Sequence, residues 1–150
     1  MSSTPWIWSH ECDFDSDMAV AHSVIQDVLQ QLARMNWTSQ DRFAVEMALE
    51  EAFANAIHHG NHDDPLKKVF FSCQISAGLI RIQIEDEGVG FNPTSVPDPR
   101  EPDNLERTCG RGVFLILNFM THVSYSECGR RIIMEKDISK PDDGHNAREA

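Results

Sequence analysis

Apolar residues recur along the first third of the chain with the spacing of amphipathic helices. Asp15-Ser16-Asp17 offers a helix N-cap, and behind it apolar side chains return every three or four positions until Asn36-Trp37 breaks the pattern. A second helix is predicted to begin at Thr38-Ser39 and to run to about His59. Gly60-Asn61 then supplies the signal for its C-terminal end.

Later segments alternate apolar and polar residues, which is typical of half-buried strands. Residues 6–13 form a short candidate edge strand. Residues 69–75 and 79–85 predict a β-hairpin whose second run buries its isoleucines. Residues 122–128 and 130–138 predict a second hairpin, turned at Cys128-Gly129.

Between the two hairpins the pattern changes. Residues 91–109 lose periodicity and contain several prolines, as expected of a functional lid or a disordered loop, and a third helix follows over about 112–120. The order of elements predicts an α+β fold: a two-layer sandwich with three helices on one face of a mixed, largely antiparallel sheet. One domain over residues 5–138 is expected, followed by a disordered polar tail, 139–150.

Charge and cysteine content narrow the function classes. The formal net charge is −11, with no concentrated basic patch, which argues against direct binding to nucleic acid. No apolar run approaches the length of a membrane span. The four cysteines form no CxxC pair and nothing resembles a secretory signal, so a cytoplasmic protein with reduced thiols is expected.

The second predicted helix carries polar residues that share one face. Glu51, Asn55 and His59 recur at steps of four. The carboxamide oxygen of Asn55 is a hard ligand suited to Mg²⁺, and Glu51 can take a proton from an attacking hydroxyl or water. Taken alone, the pair fits an ordinary solvated helix face better.

Two glycine-rich segments follow the helix. Asp86 ends a predicted strand beside Gly88 and Gly90, where a carboxylate can accept a hydrogen bond from the exocyclic amine of adenine. An acidic turn after a strand explains the same residues when they are considered alone.

The second glycine pair precedes an apolar helix. Gly110 and Gly112 leave backbone amides bare at a helix N-terminus, which is an anion site, and Arg107 and Arg111 can add charge for phosphates. A flexible hinge between the lid and the helix is an equally good interpretation of this feature alone.

The three features in series resemble the sequence boxes of the GHKL ATPases. Glu50–Gly60 resembles the N-box, in the Glu-Ala-x-x-Asn-Ala-x-x-His-Gly form of the bacterial anti-sigma-factor serine/threonine kinases. Asp86–Phe91 and Gly110–Gly112 resemble the first and second glycine boxes. The resemblance extends over roughly residues 5–138 and implies a Bergerat-type ATP-binding fold.

The same resemblance implies a role for each residue of the boxes. Glu51, which fits the motif better than its neighbour Glu50, would be the general base. Asn55 would bind Mg²⁺, and Asp86 would bind adenine. The nucleotide cradle would be completed by His59, Gly88, Gly90, Arg107, Gly110, Arg111 and Gly112, and residues 92–109 would form the ATP lid.

The resemblance also implies activity and partners. Kinases of this type use ATP and Mg²⁺ to phosphorylate a Ser or Thr of a small anti-anti-sigma protein, and they sequester a sigma factor, often as homodimers. Two alternatives remain open. One is a non-catalytic module that binds ATP or ADP and switches protein partners, and the other is an ATPase that uses water as the acceptor.

Overall fold

The computed structural model describes residues 5–88, 116–126 and 129–138. Its centre is a five-stranded sheet in the order β1-β2-β3-β5-β4, and all of the described pairings are antiparallel. The strands are β1 (Trp8–Asp15), β2 (Lys68–Ile75), β3 (Leu79–Glu85), β4 (His122–Ser126) and β5 (Arg131–Asp137).

Two long helices connect β1 to β2. They are α1 (Met18–Arg34) and α2 (Ser39–Ala54), and α2 continues directly into a π-helical segment, Asn55–Gly60. Residues 116–119 are also helical. The α+β class and the layered arrangement predicted from the sequence are confirmed.

One face of the sheet contributes to the core. Along β2 and β3 alternate residues are buried, including the predicted isoleucines of β3. Phe53 of α2 packs on this face: its ring centroid lies 5.7 Å from that of Phe14 on β1 and 5.5 Å from that of Phe71 on β2. Burial of such aromatic side chains is a main source of stability.

The helix ends follow local rules. Asp17 caps α1 by accepting a hydrogen bond from the Ala19 amide, and Thr38 caps α2 in the same way through the Asp41 amide. The carboxylate of Asp41 is buried and lies 3.6 Å from Nζ of Lys136, so the first turn of α2 is tied to β5.

Asn36 ends α1 in a Schellman arrangement. It adopts the left-handed conformation, with φ 65°. Its amide donates to the Ala33 carbonyl, and the Trp37 amide donates to the Leu32 carbonyl. Trp37 is thereby turned into the core, where it is 2% exposed.

Two expectations at the end of α2 need correction. The helix was expected to remain α-helical to about His59, but the last turns are π-helical from Asn55. The segment does end at Gly60, with Asn61 at the C-cap, as the pair Gly60-Asn61 predicted. Gly60 is not the left-handed cap that this signal implies, however, because Gly129, with φ 89°, is the only described glycine with a positive φ. Gly60 is therefore required for another reason, which the site explains.

The remaining expectations divide by what the structure describes. β1 lies at an edge of the sheet, as expected, while homodimer formation stays a prediction. Most of the third helix, the proline-rich lid and the tail lie outside the described residues, and the domain bounds 5–138 stay a prediction. Within the described ranges, no helix has both the length and the apolar character needed to cross a bilayer.

Candidate nucleotide site

The π-helical segment brings the end of α2 against the end of β3. Its last bond runs from the Asn61 amide to the Ala56 carbonyl, at 2.8 Å, five residues back rather than four. π turns inside helices occur frequently at functional sites. Beyond it, His62 and Asp63 are both left-handed, with φ 52° and 58°, and the chain reverses toward β2.

Asp86 is the residue that faces this helix end. Its amide donates to the Arg130 carbonyl at 3.0 Å, so β3 remains anchored beside β5 one residue past its end. Its carboxylate oxygen Oδ1 accepts a hydrogen bond from the Gly88 amide at 2.8 Å. The other oxygen, Oδ2, lies against Gly60 at the end of the π-helical segment.

Gly60, Asp86 and Gly88 touch one another. A Cβ added to Gly60 would collide with the carboxyl group of Asp86, and a Cβ added to Gly88 would collide with the backbone carbonyl of Gly60. Glycine is thus required at Gly60 for space and not for backbone conformation. This contact joins two segments that lie far apart in the sequence, the helical motif and the motif that follows β3.

Burial makes the Asp86 carboxyl unusual. The side chain is nearly inaccessible to solvent, at 8% exposure. Desolvation raises its pKa to about 6, against smaller lowering effects of the Gly88 amide and of the Arg130 charge. The group is therefore mostly ionised at pH 7, as an acceptor for an amine must be, but it is held close to protonation.

The adjacent glutamates on α2 have different surroundings. Glu50 faces α1, where its Oε1 lies 2.9 Å from Nε2 of His22. Glu51 and Asn55 are half-buried, and within the described ranges their side chains form no hydrogen bond.

The surroundings of His59 favour its neutral form. Its pKa is lowered mainly by burial and further by His58, while Asp63 and Glu51 act in the opposite direction. Nδ1 of His58 is hydrogen-bonded to Oδ1 of Asp63 on the exposed side, so His58 belongs to the surface and not to the site.

The other residues expected at the site lie outside the described residues. They are Gly90, Arg107, Gly110, Arg111 and Gly112.

Comparison with known proteins agrees with this geometry. The family profile of the histidine kinase-like ATPase domain matches residues 14–136. The anti-sigma F factor of Oceanobacillus iheyensis is 34% identical over 117 residues, which cover 73% of this chain and 78% of that protein. The anti-sigma F factors of Geobacillus thermodenitrificans and Bacillus subtilis are 32% and 31% identical over the same shares.

This chain belongs to the histidine kinase-like ATPase family, in its anti-sigma-factor branch. Family membership implies that the domain binds ATP. A structural likeness agrees on the fold: the crystal structure of the RsbU and RsbW domains of Rv1364c from Mycobacterium tuberculosis has a TM-score of 0.58 at 14% identity. The likeness covers 89% of this chain but only 33% of that longer one.

The described part of this ATPase domain offers a buried carboxylate, which can accept a hydrogen bond from the amine of a nucleotide base. Gly60 and Gly88 pack against this carboxylate and against each other, which holds it in place at the end of β3. Among the described residues, no group of three or more His, Cys, Asp or Glu side chains could hold a metal ion. Mg²⁺ commonly binds through phosphates, waters and one or two side chains, and Asn55 can be such a ligand.

Sequence reasoning missed the tertiary contacts of two residues at this helix end. Gly60 was interpreted as a helix end and as the last residue of the N-box, and it also makes room for Asp86. Asn61 was interpreted only as part of the helix end, and it is completely buried. The signal in the sequence was a polar residue, Asn61, directly after the predicted end of the helix. Its partners, however, lie in distant segments.

Proposed function

We propose that this chain is an ATP-dependent protein serine/threonine kinase that phosphorylates a small anti-anti-sigma protein and sequesters a sigma factor or a similar regulator. The observation that carries the proposal is the contact of Gly60 with Asp86 and Gly88, because it sets a buried carboxylate beside the end of the helix that bears Glu51 and Asn55. The anti-sigma F factors that the chain resembles support the choice of partners.

The roles follow from the chemistry of the side chains. The carboxylate of Asp86 accepts a hydrogen bond from the exocyclic amine of adenine. The carboxamide oxygen of Asn55 binds Mg²⁺, which when present neutralises phosphate charge. His59 supports the same helix end, and Gly88 shapes the cradle through its close contact with the carbonyl of Gly60.

Glu51 is the proposed general base. It takes the proton from the acceptor hydroxyl while that oxygen bonds to the γ-phosphorus, and the bond to the bridging oxygen breaks to release ADP. Phosphoryl transfer depends mainly on positioning and on charge stabilisation. A single carboxylate is therefore sufficient as the general base. Glycines and arginines of the second glycine box, Gly110, Gly112, Arg107 and Arg111, are proposed to hold the phosphates together with Gly90.

The chain offers a matched pair of variants for testing the base. In Glu51→Gln, ATP binding measured by calorimetry should persist, whereas phosphoryl transfer from labelled ATP to an anti-anti-sigma protein of the same organism should fall roughly 10²-fold or more. Glu50→Gln is the control, because Glu50 is directed to His22 on α1 and should be dispensable for transfer.

The outcomes separate the alternatives. Equal transfer by Glu51→Gln and the wild type would remove Glu51 from the mechanism. Nucleotide binding by the wild type without transfer to any antagonist would leave the non-catalytic switching module, and phosphate release without a partner would identify an ATPase. Absence of nucleotide binding would end the proposal.

A further inference from the structure

Asn61 is a buried polar residue at the meeting point of three segments. Its side chain is completely inaccessible to solvent. Nδ2 donates to Oγ of Ser16 and to the Lys68 carbonyl, both at 3.0 Å. Oδ1 accepts from the Glu87 amide at 2.8 Å.

The neighbours of Asn61 fix the orientation of its amide. The hydroxyl of Ser16 donates to the Lys67 carbonyl, so toward Asn61 it acts as an acceptor, as does the Lys68 carbonyl. The Glu87 amide can only donate. A flipped amide would set acceptors against acceptors and donors against a donor, so only one orientation satisfies every group.

The side-chain amide of Asn61 anchors the loop that carries Asp86, through its hydrogen bond with Glu87. Glu87 lies between Asp86 and Gly88, and its own carboxylate accepts a hydrogen bond from the Lys68 amide at 2.7 Å. The Gly88 amide that orients the carboxylate of Asp86 is thus one peptide beyond the anchor on Asn61. Asn61 also closes the π-helical segment through its own amide, so one residue sets both sides of the contact between Gly60 and Asp86.

We propose that Asn61 is a positioning residue for base specificity: it aims the carboxylate of Asp86 at the exocyclic amine of the nucleotide, although it does not touch the nucleotide itself. The inference rests on the proposed nucleotide function. It goes beyond that function by assigning selectivity for an amino-purine to a side chain buried behind the site.

The test compares ATP with purine riboside triphosphate, which lacks the amine at C6, by calorimetry on the full chain. The wild type should bind ATP about tenfold or more tightly, as expected for one hydrogen bond to a charged group. In Asn61→Ala the preference should collapse to within about twofold, chiefly because ATP binds more weakly. A residue that only stabilised the fold would weaken both ligands equally.

Two controls isolate the link to Glu87. Ser16→Ala removes one partner of Nδ2 and leaves the bond from Oδ1 to the Glu87 amide, so it should keep the wild-type preference. Val28→Ala opens a cavity in the core on α1, away from the site, and should lower the melting temperature without changing the preference. If Asn61→Ala does not fold, Asn61→Ser should show the same collapse, since its short side chain cannot reach the Glu87 amide.

Each outcome has a distinct meaning. An unchanged preference in folded Asn61 variants overturns the positioning role and leaves the proposed function intact. A wild type that binds both triphosphates equally overturns the role of Asp86 as reader of the amine, and the inference with it. A wild type that binds neither refutes the proposed function.

Discussion

The carboxyl group of Asp86 is buried, but it must be ionised to accept a hydrogen bond from an amine. We therefore expect nucleotide affinity to depend on pH. This carboxyl has a pKa of about 6, raised by desolvation. An amine donates to the ionised form, so ligand binding must lower this pKa. ATP affinity is expected to be constant above about pH 7 and to fall below pH 6, by up to about tenfold per pH unit.

Calorimetric titration of ATP between pH 5 and 8 checks this expectation. ATP itself gains a proton at low pH, so Asp86→Asn is the reference. That variant should bind more weakly, by about tenfold at pH 7, and should lack the step near pH 6 that belongs to Asp86. Parallel pH profiles for the wild type and Asp86→Asn would show that another group governs affinity.

Gly60 offers a second test at the scale of one atom. In Gly60→Ala the added Cβ collides with the Asp86 carboxyl, so the loop after β3 has to move. We expect ATP affinity to fall about tenfold or more, with about 1–3 kcal/mol lost from the free energy of unfolding, as is usual for overpacked sites.

Gly78→Ala is the matched control for this substitution. The nearest atom to a Cβ at Gly78 is Cγ2 of Ile138 at 3.8 Å, which is ordinary contact. Calorimetry and urea denaturation should show little change for Gly78→Ala. Equal behaviour of the two alanine variants would contradict a role for close packing at Gly60.

The candidate site residues were only partly predictable from local pattern. Glu51, Asn55 and Asp86 became candidates through the resemblance of three features in series to known sequence boxes, because each feature alone fitted an ordinary helix face or turn. Their roles stay predictions. The role of Asn61 was not predictable, because it depends on Ser16 and Glu87, which only the fold brings together. Gly60 was misinterpreted for the same reason, since its partner is a side chain from another segment.

At the scale of elements, the end of α1 depends on the left-handed residue Asn36. Asn tolerates this conformation better than alanine does, because its short polar side chain can form local hydrogen bonds. Asn36→Ala is expected to lower the free energy of unfolding by about 1 kcal/mol, measured by urea denaturation.

Asn36→Gly serves as the comparison, because glycine adopts φ 65° without strain and keeps the Trp37 amide bonded to Leu32. It should be at least as stable as the alanine variant, and close to the wild type. If alanine were tolerated without loss, the Schellman arrangement would not contribute to stability as described.

The change from α- to π-helix at Asn55 illustrates what an element's own sequence cannot specify. Ala56 and Ile57 are as compatible with an α-helix as with a π-helix, and the predicted helix face extended through them. The deviation coincides with the anchoring of Asn61, whose side chain is held by other segments while its amide bonds to Ala56. Tertiary hydrogen bonds here override a local preference.

At the scale of the whole molecule, the fold class followed from the order of helices and alternating strands. The two hairpins were predictable because each is formed by neighbouring segments. The position of β5 between β3 and β4 was not predictable, because the sequence does not show which strand of the second hairpin pairs with the first hairpin. What decides it is the antiparallel register of β3 with β5, from Leu79 opposite Asp137 to Glu85 opposite Arg131.

The strand order has a consequence for folding kinetics. β2 and β3 are joined by a tight turn and can zip together early, whereas β1 reaches β2 only after both long helices have been formed or looped out. Ile80→Val, beside the turn, should therefore mainly slow refolding, while Phe14→Leu on β1 should mainly accelerate unfolding. Stopped-flow chevron plots would show this division, and the opposite division would mean that the amino-terminal strand, and not the central hairpin, nucleates the sheet.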